Sequence, residues 1–257
     1  MLLEVEELSK RYGGLAAVDR LSFAVDEGET LGIAGPNGAG KTTLFDVISG
    51  HAAASGGTIR FAGREIQRLP AHAICHLGIA RTFQLTTVFP EQTVLGNIAI
   101  GAYFGRAGRR IPGIRFDRET IERAREAARF VGLEDRLDAL AGPLRLFDKK
   151  RLMLATALAT EPRLLLLDEP VGGLTPAETD RILELVRRVR ERGVSVVLIE
   201  HVMRALMSIS DRVMIMNHGR LLFEGTPSDV VRNTEVIRVY LGTLPAEADE
   251  VGRDAGA

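Results

Sequence analysis

The sequence predicts an α/β protein: a mixed-sheet core with an N-terminal antiparallel β subdomain and an inserted α-helical subdomain. Three observations carry this reading. The first third is a series of short runs punctuated by glycine, LLEVEEL, LSFAVDEGE and GGTIRFAGREI, as in strands joined by tight turns. The middle switches to helical periodicity. Beyond it, LLLLD and VSVVLI are continuous, β-rich apolar runs, the pattern of strands buried on both faces of a parallel sheet.

Each element follows from local chemistry. TLGIA, from Thr30 to Ala34, is an apolar strand running into a glycine-rich loop and then the helical LFDVISG. From Asp117 to Val131, apolar residues recur at Ile121, Ala124, Ala128 and Val131 with charges between them. Asp117 and Glu119 suit the start of that helix, where exposed amides favour negative charge. Asp148 to Thr160 reads as a second helix, and PAETDRILELVRRVRERG as an amphipathic one ending at Gly193. The expected division is one domain over 1–244. Its core spans about 1–85 and 160–244, and its helical insert about 86–159. The small, polar, acidic tail, 245–257, is expected to be disordered.

Bulk properties narrow the function. The 257 residues are 46% hydrophobic and 26% charged, the balance of an ordinary globular protein. A net charge of -1 supplies no global field for nucleic acid, so no nucleic-acid partner is expected. The single cysteine, Cys75, excludes an intramolecular disulfide and fits a reducing compartment. MLLEVEELSK carries acids inside its apolar stretch, so no secretory leader is expected. No run approaches the roughly eighteen apolar residues of a membrane span. FGRAGRRIPGIRF holds Arg106, Arg109, Arg110 and Arg115 without an acid, a solvated loop or a contact for a partner or lipid headgroups. HAICH brings His72, Cys75 and His76 close together but shows no fourth ligand, so a metal site is not expected there.

The strongest local signal is GPNGAGKTT, Gly35 to Thr43, between an apolar strand and a helix. Gly35, Asn37, Gly38 and Gly40 belong to a loop whose backbone amides can close around phosphate oxygens at a helix N-terminus. Lys41 can neutralise the β- and γ-phosphates, and the Thr42 hydroxyl can ligate magnesium. Asp168, ending LLLLD, can complete the magnesium shell, and Glu169 can orient or deprotonate an attacking water. His201 ends the next strand, which as a parallel neighbour would bring it near the γ-phosphate. Gln84 carries no reading by itself.

GPNGAGKTT, RTFQ, LLLLDEP and LIEH, in that order and with an inserted helical lobe, resemble the ATP-binding subunit of an ABC transporter, a P-loop NTPase cassette. The resemblance runs from Leu3 to Gly242 and implies cytosolic subunits that dimerise head to tail around two ATP molecules. It implies that Tyr12 stacks on adenine and that Lys41, Thr42 and Thr43 hold phosphates and Mg2+. Gln84 would link the metal or water to the membrane subunits, Asp168 would support the metal, Glu169 would activate water, and His201 would contact the γ-phosphate. LGIARTFQ, FPEQTVLGNIAIGA and EGTPSDVVRNTEVIRVYLG are similar to the branched-chain amino acid importer branch. That branch implies a second ATP-binding subunit, two transmembrane permease subunits and a periplasmic or extracellular solute-binding protein. The expected location is peripheral, on the cytoplasmic face of the plasma (inner) membrane.

One departure stands out. Where the family has Leu-Ser-Gly-Gly-Gln, this chain has Leu144, Arg145, Leu146, Phe147 and Asp148. Arg145 replaces the serine that donates to the partner's γ-phosphate, and the glycines that permit close approach are gone. Asp148 is expected to cap the helix amides itself. Thr175 stands where the family commonly has Asp. These losses predict a weak site against the partner's P-loop, a competent site on this chain's own P-loop, and hence an asymmetric heterodimer. The rivals are a nucleotide-binding regulatory subunit with little hydrolysis and a non-transport ABC ATPase.

Overall fold

The computed structural model describes residues 1–107 and 116–241. Arg109, Arg110 and Arg115 of the arginine-rich loop, and the 245–257 tail, lie outside the described residues. Strands β1 (Leu3–Tyr12), β2 (Leu15–Val25), β4 (Gly56–Phe61) and β5 (Arg64–Glu65) form an antiparallel sheet in the order β2-β1-β4-β5. A second, six-stranded sheet has the order β10-β9-β3-β8-β7-β6. It comprises β3 (Thr30–Ala34), β6 (Ile79–Arg81), β7 (Leu164–Asp168), β8 (Ser195–Ile199), β9 (Arg212–Asn217) and β10 (Arg220–Gly225). Only β10 pairs antiparallel, so the mixed character comes from one edge.

The continuous apolar runs explain this second sheet. Every residue of β3, β7 and β8 is buried. Successive side chains point to opposite faces of a strand, so each run feeds two cores at once. Leu165, Leu167, Val196 and Leu198 join the core that includes the helical segment. Leu164, Leu166, Val197 and Ile199 join the core shared with the antiparallel sheet and α1 (Lys41–Ile48). A polar substitution at any of these positions would bury an unpaired group, whichever core it faced.

Between α2 (Ala71–His76) and β7, helices α3 (Val94–Phe104), α4 (Arg118–Val131) and α5 (Leu146–Leu158) pack on one another. The helix start expected at Asp117 is present: its carboxylate accepts from the Thr120 amide, and α4 ends at left-handed Gly132. Arg106 finds its acid outside its own loop, pairing with Glu119 on α4. The second expected helix begins two residues earlier than Asp148, at Leu146, with Arg145 as the flanking residue. This corrects the expected cap. No side chain caps α5; Asp148 lies inside its first turn, buried, and accepts from Arg136 at 2.8 Å and from Arg151. Two guanidiniums outcompete the helix amides because both partners are charged.

Across the remainder, α6 (Pro176–Glu191) crosses from β7 to β8, and α7 (Met203–Ile209) from β8 to β9. Thr175 caps α6 in a reciprocal box with Glu178, and Gly193 follows the helix with φ of 82°. Helices α8 (Pro227–Arg232) and α9 (Thr234–Leu241) close the described chain. Among the described residues, no helix is long and apolar enough to cross a membrane.

Candidate active site

The loop from Gly35 to Gly40 connects β3 to α1 and is built for backbone approach. Gly40 has φ of 98°, and a Cβ there would lie 2.1 Å from the Ala17 carbonyl. At Gly35, with φ of 153°, a Cβ would lie 2.2 Å from the Met216 carbonyl. Any larger residue at either position would displace main chain, not a flexible side chain. No side chain caps α1, so its first amides remain open to an anion. Lys41 begins α1 nearly buried, and its Nζ donates to the carbonyls of Gly35 at 2.7 Å and Pro36 at 3.0 Å. Burial lowers the Lys41 pKa, opposed by the charges of Glu169 and Asp168.

The acids come from β7. Its parallel register sets Asp168 beside Ile199, so the residues after both strand ends emerge together. Glu169 has φ of 49°, a left-handed conformation that costs a non-glycine residue about 1–3 kcal/mol. Its peptide is held on both sides. The amide donates to Ile199 O at 2.9 Å, and the carbonyl accepts from Lys150 Nζ at 2.7 Å and the Gly172 amide at 3.2 Å. The carboxylate then spans two partners: Oε2 accepts from Gln84 Nε2 at 2.9 Å, and Oε1 lies 2.7 Å from His201 Nε2.

Asp168 lies deeper, about 1% exposed. Its Oδ2 accepts from Arg81 at 3.2 Å, and the same guanidinium reaches Asp46 and Ser49 on α1. Asp168 Oδ1 is buried without a hydrogen-bond partner. Burial raises the Asp168 pKa, and the Arg81 charge works against that rise. Behind the pair, Glu200 accepts from the amides of Val171 at 2.9 Å and His201 at 3.2 Å.

A cavity of 680 Å³ gathers most of the expected residues: Tyr12, Asn37, Gly38, Gly40, Lys41, Thr42, Thr43, Gln84, Glu169 and His201. Gly35 and Asp168 do not line it; one shapes the loop and the other sits beneath. Tyr12 is half-exposed at the rim, with Lys10 Nζ 4.7 Å from its ring. Sequence reasoning missed three residues. His218 lines the cavity because its turn abuts the loop: the Gly219 amide donates to Ala39 O. Arg81 and Lys150 are buried cations directed at the acidic pair. A buried lysine one turn into a helix is a readable oddity, but nothing in the sequence names its acceptor.

The departure segment lies apart from this cavity, at the start of α5. Arg145 and Leu146 are exposed, and Phe147 sits under the Arg151 guanidinium at 4.7 Å.

Comparison with known proteins agrees with this geometry. The family model described as ABC transporter matches residues 18–172, and a model described as branched-chain amino acid ATP-binding cassette transporter matches residues 220–243. The high-affinity branched-chain amino acid transport ATP-binding protein BraF of Pseudomonas aeruginosa is 40% identical over 249 residues, 94% of this chain and 98% of BraF. LivG of Escherichia coli, described in the same words, is 36% identical over the same shares. Among solved structures, the ADP conformation of MJ1267, an ATP-binding cassette of an ABC transporter, superposes with a TM-score of 0.84 at 30% identity, covering 94% of this chain and 98% of that one. A glycine loop with a buried lysine, an acidic pair at a strand end and these matches lead to one assignment: the chain belongs to the ABC transporter family, as an ATP-binding, ATP-hydrolysing subunit.

Proposed function

We propose that this subunit powers an importer of branched-chain amino acids or related small solutes, as one half of an asymmetric ATPase pair. The solute class rests on the names of BraF and LivG and on the match over residues 220–243. The asymmetry rests on one observation. Glu169 is held between Gln84 and His201 beside the Lys41 loop, while Arg145–Asp148 offers side chains where a partner's phosphate would need open backbone.

In this reading Tyr12 stacks on adenine, and the amides of Asn37, Gly38, Gly40 and Thr43 surround the phosphates with Lys41, in a loop that Gly35 shapes. Glu169 accepts a proton from the attacking water, and its neighbours Gln84, which donates to it, and His201, 2.7 Å away, aim it. His201 reaches the γ-phosphate from the adjacent strand. A bound Mg2+ would supply charge neutralisation at the phosphates. Thr42, Gln84 and Asp168 are its proposed holders, and the unpartnered Asp168 Oδ1 is the hard oxygen donor such an ion takes.

At the other site of the pair, this chain lends its partner Arg145–Asp148. Losing one transition-state donor costs about 10²–10³ in rate, and a rim guanidinium is a poor substitute. The proposed partners are a second ATP-binding subunit, two permease subunits and, through them, a solute-binding protein. The complex holds this chain peripherally on the cytoplasmic face of the membrane. An apolar cleft of 410 Å³, lined by Phe83, Ile100, Phe104 and Met153, opens one residue from Gln84 and is the proposed seat for a permease segment.

Purified alone, the chain should hydrolyse little ATP, and brisk turnover would sink the asymmetry. In the complex captured through a tag on this chain, Lys41→Ala should abolish most hydrolysis, and the equivalent partner change should cost less. Equal losses would contradict the reading. A regulatory subunit with little hydrolysis is the second reading, favoured by the same departure segment. Turnover that survives Lys41→Ala intact would support it.

A further inference from the structure

Lys150 is a buried charge outside the glycine loop. It lies on α5, two residues beyond Asp148, and is about 8% exposed. Its Nζ donates to the Glu169 carbonyl at 2.7 Å, a neutral acceptor. Asp168, Glu169 and Glu200 face it through space, and burial pushes its pKa below the usual lysine range against their pull. A buried ammonium facing a carbonyl is costly, and an apolar side chain of similar volume would fill the space with less penalty. The lysine is therefore poorly explained by stability.

Its acceptor is the peptide that carries the left-handed Glu169. That peptide decides where the carboxylate points, and Gln84 and His201 hold only its far end. The helix bearing Lys150 also begins at Leu146, inside the Arg145–Asp148 segment. Its first turn is tied to the end of α4, because Arg151 donates to Val131 O and Gly132 O while pairing with Asp148. The first turn of α5 and the lysine that reaches the Glu169 carbonyl therefore sit on one helix, a turn apart.

We propose that Lys150 is a positioning residue for Glu169, and that it ties the aim of that carboxylate to the placement of the α5 N-terminus. Hydrolysis at this chain's own P-loop then responds to the segment lent to the partner. The proposal rests on the reading of Glu169 as the group that activates water.

The test uses the complex captured through a tag on this chain, with turnover and binding of a fluorescent ATP analogue read separately. Lys150→Met should lower kcat by about 10²-fold, the scale of a small misplacement of a reacting group, with nucleotide affinity unchanged. Lys150→Arg, which keeps a donor for the carbonyl, should recover most of that loss, whereas a purely structural role would move melting temperature and leave turnover of the folded fraction intact. Lys150→Gln, too short to reach, is the second variant should the methionine not fold. Normal kcat in either folded variant overturns the proposal. Arg145→Ala should change kcat in the native background and not in the Lys150→Met background; additive effects, or none, overturn the tie to the α5 N-terminus. Glu169→Gln separates the two ideas: if it hydrolyses normally, the reading of Glu169 has failed, whatever Lys150 does.

Discussion

His201 Nε2 lies 2.7 Å from Glu169 Oε1, two side chains 32 positions apart in sequence that meet because β7 and β8 are parallel neighbours in register. The carboxylate faces the cavity with one oxygen on His201 and the other on Gln84, so its orientation is set before any substrate arrives. Glu169→Gln should keep ATP binding and lose about 10²–10⁴-fold in turnover, the usual worth of a positioned base. His201→Ala should lower kcat with little change in nucleotide affinity. Single-turnover hydrolysis alongside equilibrium binding checks both, and loss of binding in either variant would contradict the proposed roles.

Arg81 and Asp168 form a buried ion pair, with side chains about 5% and 1% exposed. Removing one partner leaves an uncompensated charge in the core, so Arg81→Met should destabilise the fold by about 3–5 kcal/mol. Urea denaturation of the variant measures this. A change within about 0.5 kcal/mol, the usual range for surface substitutions, would mean that Arg81 is dispensable to the core.

Asp148 accepts from Arg136 and Arg151 and caps nothing. Asp148→Asn keeps the shape but removes the charge that both guanidiniums share. The expected cost is about 1.5–3 kcal/mol, as for hydrogen bonds to charged groups. Asp148→Ser, an N-cap residue by preference, should not recover it. Recovery by serine would restore the capping role that the sequence alone suggested.

Burial raises the Glu200 pKa above its ordinary 4.5, with hydrogen bonds from the Val171, Val202 and His201 amides opposing the rise. Between the unfolded and folded values the folded chain holds more protons, so this group's contribution to stability falls as pH rises. Glu200→Gln cannot titrate. The wild type should therefore lose stability relative to this variant as pH rises from about 4.5, with the full difference reached above the folded pKa. Melting curves of both proteins across pH 5–8 check the slope, and parallel curves would remove Glu200 from the account.

Much of this site is legible in the sequence. Gly35–Thr43 announced itself because a phosphate loop is a local object: a strand, glycines with special φ, a lysine and a helix start, all contiguous. Asp168, Glu169 and His201 were readable because they end or closely follow apolar strands, where parallel sheets present their chemistry. Helix α4 was legible at its first residue because Asp117 caps locally. Asp148 misled because a carboxylate near a helix start normally caps, and its competitor Arg136 arrives from a separate turn.

By itself, the sequence determined the class of the fold, the phosphate loop, the strand-end acids and the departure at Arg145–Asp148. These depend on short-range spacing and on periods of two or 3.6 residues. Tertiary structure alone decided that Gln84 and His201 share one carboxylate, that Arg81 pairs with Asp168, that Lys150 seats on the Glu169 carbonyl and that His218 lines the cavity. Each is a contact between elements far apart in sequence. The order of strands in a sheet and the packing of α5 against α3 and α4 are set by how the whole chain buries its two cores, and no local pattern encodes that.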